Sequence, residues 1–353
     1  MMRSIFQHTQ MVLFLLFPFS LPHLWAGSNS AGETRHNDIR PIVIKLATLA
    51  PSGSPWHEIL NDMGREWQAV SNGLVTLRIY PGGVAGDEAD MVRKIRIGQL
   101  HAAAITNNGL SRIAPEINVL TIPMLVDSWE GLDHLRQAIG PKLEALLAEK
   151  GFIVLNWGDA GWVRFFCPAE KPTIELVKKK SRLFVWSGDD RSIELWKSSG
   201  FHVVPLAATD ILPGLQTGMI NAFNTTPIIA LASQWFPFTP YMIDLPWAPL
   251  VGATVISKRA WERIPEDLRP QLKAIAEKTG VRLREEIRRM EREAIQAMQQ
   301  HGLKVLKLTN QEIARWRNAM QKIYPKIRGS LVPEAWFDEA LQVVSGKSLT
   351  NGN

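Results

Sequence analysis

Apolar residues follow two rhythms along this chain. Pro41-Ile42-Val43-Ile44-Lys45-Leu46-Ala47-Thr48 is an apolar run of strand length, and Val75-Thr76-Leu77-Arg78-Ile79-Tyr80 alternates with the period of two that a half-buried strand requires. Between them Ile59, Leu60, Met63, Trp67 and Val70 recur at helical spacing, so 56–71 is expected as an amphipathic helix entered through the turn 50–56. A glycine-rich turn over 81–88 precedes a helix over 89–97, and 98–105 closes that helix and opens a third strand. This strand-helix-strand rhythm predicts an α/β fold with a mostly parallel sheet.

The pattern continues with a helix from Ser128 to Lys150 and a strand over 152–157. Gly158 and Gly161 bracket the next four residues and predict a hinge or crossover into a second domain. Within 180–191, Arg182, Phe184 and Trp186 alternate with Leu183 and Val185, the mark of a strand with two unlike faces. Ser187-Gly188-Asp189-Asp190 then supplies turn and N-cap chemistry for a helix beginning at Ile193. In an open α/β sheet, ligands bind beyond the carboxyl ends of the strands, and 186–190 is expected there. A strand over 201–206, a helix over 211–217, a proline- and aromatic-rich stretch over 235–249 and a returning strand over 252–257 follow. A helical pattern then runs from Pro265 to about Gln300, longer than most globular helices. Its Glu285, Glu286, Arg288, Arg289, Glu291, Arg292 and Glu293 are expected on a solvated face. A short strand over 303–308 and helices near 310–328 and 333–343 close the chain.

At 353 residues the chain exceeds one typical domain, and two are expected. Arg3, the apolar run 11–19 and Leu24-Trp25-Ala26-Gly27 have the three-part layout of a secretory signal peptide over 1–26, followed by a polar, disordered leader over 27–40. The formal charge of +6 falls to +5 without residues 1–26, whose one charged side chain is Arg3, and its interspersed residues leave no nucleic-acid footprint. Cys167 is the single cysteine, which excludes disulfides within the chain, and its setting between Phe166 and Pro168 reads as an inert buried thiol. His57-Glu58 with Asn61 lacks the second histidine of a zinc helix, and Gly82-Gly83-x-x-Gly86 has the wrong spacing for a dinucleotide. No elbow or Ser-x-x-Lys pair for acyl transfer occurs, so no catalytic residue, metal or cofactor is expected. What remains is an exported, two-domain α/β chain that closes around a small solute.

The segments Ile44-Lys45-Leu46-Ala47, 80–88, Ile97-Gly98-Gln99-Leu100, the stretch around Arg164, Leu215-Gln216-Thr217-Gly218 and Trp261-x-x-Ile264 through Arg269 resemble, in this order, the DctP-type solute-binding proteins of TRAP transporters, the tripartite ATP-independent periplasmic importers. The similarity spans about residues 41–344. It implies a periplasmic binding-protein-like fold of two α/β lobes with a hinge and a long helix crossing between them. Lobe I would comprise 41–161 plus about 248–284, and lobe II 162–247 plus about 285–345. It further implies a periplasmic, soluble, monomeric receptor that is not an enzyme and delivers a small organic solute to the small and large TRAP permease subunits. The other reading of the fold is a ligand-sensing or interaction subunit of a membrane receptor or efflux assembly.

Members of this family grip organic acids with an arginine. Counting from Thr173-Ile174-Glu175 places it at Leu183, and counting back from Ser199-Gly200 places it nearer Val185. Arg182 is adjacent, but a one-residue offset in a strand faces the other way. Arg164 matches a second arginine of the pattern and is the expected polar anchor. Phe184, Trp186, Trp162, Trp157 and Trp247 are expected as aromatic walls, with Asp189, Asn224 and Thr225 as further ligand contacts. Without a bidentate guanidinium a buried carboxylate loses its strongest hydrogen bonds, so the expected ligand is less acidic and more apolar than a dicarboxylate.

Overall fold

In the computed structural model, which describes residues 41–187 and 190–346, the first third of the chain keeps the rhythm of its hydrophobic pattern. β1 (Ile42–Thr48) leads to α1 (Pro55–Val70), β2 (Val75–Tyr80) to α2 (Glu88–Arg96), and β3 (Ala102–Thr106) to α3 (Asn107–Leu110). α1 starts where the Ser54 hydroxyl accepts the His57 N–H and Pro55 fills the first position, whose N–H would have no partner anyway. α4 (Trp129–Glu149) is capped by Ser128 and precedes β4 (Phe152–Cys167). The remainder runs α5 (Ile174–Lys180), β5 (Arg182–Trp186), α6 (Asp190–Ser198), β6 (His202–Leu206), α7 (Ile211–Gln216), β7 (Phe223–Thr225), α8 (Pro227–Ala232) and β8 (Tyr241–Ser257). It ends with α9 (Lys258–Trp261), α10 (Arg269–Gln300), β9 (Lys304–Leu306), α11 (Asn310–Gln321), α12 (Tyr324–Ile327) and α13 (Glu334–Val344).

The strands order as β2-β1-β3-β8-β4-β7, with β9 beside β8 and a separate β5-β6 pair. The expectation of a mostly parallel sheet needs correcting. β1 is parallel to β2 and β3, but β3–β8, β4–β8 and β4–β7 are antiparallel. The reason is the length of two strands: β4 has 16 residues and β8 has 17, and they run side by side through the whole sheet. Gly158 and Gly161 therefore lie inside a strand rather than ending one. Register shifts between Val154 and Asn156, Asp159 and Gly161, and Val163 and Phe165 bend it, and Gly161 adopts φ +109°. β8 tolerates Pro246 because the last shift takes Asp244–Trp247 out of the ladder, where no N–H is needed.

Strand directions fix where a cleft forms. β1, β2 and β3 run with the first half of β4, so their carboxyl ends point toward its second half. β7 runs against β4; β5 is joined to its leading edge by a parallel bridge, Leu183 to Ala222, and β6 is parallel to β5. The carboxyl ends of β5, β6 and β7 thus point back toward the first half. Each half buries both faces of its sheet. Val154 and Trp157 pack with α4, whereas Leu155 packs with α1 and α10. Phe165 packs with Leu183, Val185 and Trp316, and its neighbour Phe166 packs with Phe184, Phe223 and Met298.

α10 carries Leu272, Ala276 and Leu283 into the core of the first half and Met298 into that of the second. α13, grouped by sequence with the second lobe, instead buries Phe337 and Ala340 in the cluster that holds α4.

Candidate functional site

Arg164 stands on β4 opposite Thr225, where the long strand has just entered the second half of the sheet. Its side chain is 12% exposed and is already engaged: Nη1 pairs with Glu291 on α10, and Nε lies 3.4 Å from Asp244. The Trp162 N–H donates to the same Glu291 oxygen at 3.2 Å. Burial pushes the Glu291 carboxyl above the usual range, against the lowering pull of Arg164. One turn back on α10, Arg288 donates to both Asp133 oxygens at 2.9 and 2.8 Å and to Asp159 at 3.2 Å. Asp159 is fully buried and also pairs with Arg136. The Arg288 guanidinium lies 4.7 Å over the Trp129 ring, which packs 5.3 Å from Trp162.

Arg288 and Glu291 therefore contradict the expectation of a solvated face. The buried positions Leu272, Ala276, Leu283, Ile287, Ala294 and Met298 recur every three or four residues, and Glu291 falls on that stripe. A charge on an apolar stripe was the available signal. These charges also cover an unpaired strand edge. Lys273 donates to the Val154 carbonyl at 2.8 Å, Arg284 donates to that of Trp157 at 2.9 Å, and Asn156 reaches the Ala276 carbonyl at 2.9 Å.

The expected ligand residues divide by burial. Trp157 is 8% exposed with its Nε1 donating to Glu144 at 2.7 Å; Trp162 is 2% and Phe184 3% exposed. Trp247 is partly buried, stacks 5.1 Å from Trp196 and directs its Nε1 at the Met320 sulfur. These four rings pack within the cores. Phe184 and its neighbours Leu183 and Val185 are all buried because both faces of β5 meet a core, so the two unlike faces expected there are two apolar ones. Trp186, at the end of β5, is 47% exposed and stands edge-on to Phe184 at 5.0 Å. Asn224 and Thr225 are half-buried and make no side-chain hydrogen bond to other described residues. Asp189 lies outside the described residues, as do the expected signal peptide and leader. Arg182 is spent locally, donating to the Gly218 and Met219 carbonyls just past α7.

Across the cleft, the turn after β1 and that after β2 are tied by Gly82 N to the Ala50 carbonyl at 2.8 Å and Gly83 N to that of Thr48 at 3.1 Å. Glu88, buried at the start of α2, accepts from Thr106 N, Thr106 Oγ1 and Gly109 N, each at 2.8 Å. Its carboxyl is raised by burial, with the hydrogen bonds opposing. The Cys167 thiol is buried and pushed up to about 11, so its thiolate is not accessible at neutral pH. His57 sits beside Asn61 and Glu58, and among the described residues no group of three metal-ligating side chains occurs. Nor is any described helix long and apolar enough to cross a membrane.

The family model described as bacterial extracellular solute-binding protein, family 7 (DctP) matches residues 46–330. A solute-binding protein of Chromohalobacter salexigens is 25% identical over 290 residues, 78% of this chain and 82% of that one. The C4-dicarboxylate-binding periplasmic protein DctP of Vibrio cholerae is 19% identical over 256 residues, 72% of this chain and 76% of that one. Among solved structures, a TRAP periplasmic solute-binding protein from Ralstonia eutropha with bound (S)-2-acetolactate superimposes with a TM-score of 0.77 at 22% identity, covering 87% of this chain and 100% of its own. One from Haemophilus influenzae with bound L-gulonate gives 0.77 at 18% identity, covering 87% and 99%.

Proposed function

Because the chain belongs to bacterial extracellular solute-binding protein family 7, we propose that it is an exported periplasmic receptor. It captures a small organic solute by closing two lobes and hands it to the small and large membrane subunits of a TRAP-type permease. The observation that carries this reading is directional: the carboxyl ends of β1–β3 and of β5–β7 face each other across two bent strands, β4 and β8. That is where an open α/β fold receives ligands. The lobes take 41–161 with about 248–284, and 162–247 with about 285–345 less α13. Residues 1–26 direct export, and no catalytic step is involved.

The ligand is less acidic and more apolar than a dicarboxylate. The arginines at the crossover and on β5 already have protein acceptors: Arg164 has Glu291 and Asp244, Arg288 has Asp133 and Asp159, and Arg182 has two carbonyls. One carboxylate is accommodated, with Arg164 turning from the long 3.4 Å contact to Asp244 toward it. Trp186, Asn224 and Thr225 make the second-lobe surface; Phe184 and Trp247 lie in the core of that half, and Trp157 and Trp162 in the core of the first. The acetolactate and gulonate of the structural relatives are likewise monoacids.

Native mass spectrometry of the protein purified from its own periplasm, followed by denaturation, tests this. A released monoacid or amphipathic solute is expected. Release of succinate or malate overturns the ligand class, and a protein that never carries or binds a small solute overturns the receptor. Arg164→Ala should then weaken binding of an anionic solute by about 1.5–3 kcal/mol. Unchanged affinity would confine Arg164 to a structural part.

A further inference from the structure

Of the twelve large apolar side chains left exposed among the described residues, four come at or close after the carboxyl ends of strands. Leu49, 46% exposed, is the first residue after β1, and Val84, 74% exposed, lies in the turn after β2. Trp186, 47% exposed, ends β5, and Leu212, 36% exposed, is the second residue of α7, the helix that follows β6. All four lie at or after carboxyl ends that point toward the other half of the sheet, two from each half. Leu49 is held against the glycine turn, where a Cβ on Gly83 would come within 3.2 Å of its methyl group. Trp186 is braced edge-on by buried Phe184. A polar rim would suit water or sugar hydroxyls, whereas the Trp186 ring and the three branched chains gain from losing their water against hydrocarbon.

We propose that Leu49 and Val84 on one rim and Trp186 and Leu212 on the other close on the hydrocarbon part of the solute, making Trp186 the residue that selects for chain length. The inference rests on the receptor reading and names its substrate class: a monoanion or neutral molecule with an aliphatic or aromatic body. Its polar end meets the Asn224 and Thr225 side chains, which have no hydrogen-bonding partner among the described residues. Closure then buries methylenes between the rims, and affinity rises with each one.

Isothermal titration of the purified chain with acetate, butyrate, hexanoate and octanoate, with succinate as control, reads this directly. Affinity should rise by up to about fourfold per added methylene, the equivalent of about 0.8 kcal/mol each. Trp186→Ala should flatten the series, Trp186→Phe should retain most of it, and Val84→Ser should reduce the slope without touching the core. Binding with no dependence on length, or a dependence that Trp186→Ala leaves unchanged, overturns the rim while leaving the receptor intact. If no acid in the series binds, the solute released on denaturation decides. A hydrocarbon-bearing one supports the rim, a purely polar one overturns it, and no solute at all overturns both.

Discussion

Glu291 is buried, and among the described residues its one cationic partner is Arg164, with the Trp162 N–H as a second donor. Removing the guanidinium leaves a buried carboxylate with no opposite charge, and breaking such a pair costs about 3–5 kcal/mol. Arg164→Ala is therefore expected to lower the unfolding free energy by that order in urea titration. Adding Glu291→Gln should recover most of the loss, since the amide carries no charge; an additive double mutant would show that the two side chains are not coupled. Glu88 offers a different test. Burial raises its folded pKa above the ordinary value of 4.5, so over the window between the two the native state holds more protons than the unfolded one. Stability must then fall as pH rises through that window. Glu88→Gln should remove this component from a series of thermal melts between about pH 4 and 7, and an unchanged slope would refute it. Trp186→Ala, by contrast, removes only an exposed ring and one edge-on contact, which should cost about 1 kcal/mol.

At the scale of elements, α10 and β4 approach so closely that Gly280 has no room for a side chain. A Cβ there would lie 2.7 Å from the Asn156 Cβ and 2.8 Å from the Trp157 carbonyl, neither of which can move freely. Alanine in a helix interior is favoured over glycine by up to about 1 kcal/mol. Overpacking a fixed contact costs about 1–3 kcal/mol, so the clash should win. Gly280→Ala is expected to lower the melting temperature, and a rise would mean the helix can shift outward. Elements with a clear period were legible in advance: α1, α2, α4, α10 and the strands of the first half follow the apolar spacing to within a residue or a few. The long strands were not. Glycines and prolines that punctuate β4 and β8 read as breaks, because in isolation they weaken a strand. Here each strand has the other beside it, and irregular register absorbs the offending residues. Leu183, Phe184 and Val185 misled in the opposite way: alternation implies two faces but cannot show that both are covered.

For the molecule as a whole, the proposed closure would bend β4 and β8 at two of their three register shifts, those between Asp159 and Gly161 and between Val163 and Phe165. X-ray scattering of the purified protein should show a smaller radius of gyration once the released solute is added back at saturation. An unchanged radius would argue that the lobes are already fixed. The amino-acid sequence by itself determined the α/β class, the order of most elements, the long crossing helix and the family resemblance, all of which rest on local periodicity and motifs close together in the chain. Only the tertiary structure decided which aromatics are buried and which charges are spoken for. Trp157 and Trp186 are alike in sequence character, yet one packs under α4 and the other ends a strand in solvent. Glu291 looks like its exposed neighbour Glu293 until Arg164, 127 positions earlier, comes to meet it. Burial and pairing depend on contacts between residues far apart in the chain, and these exist only once the two long strands and the helix have brought them together.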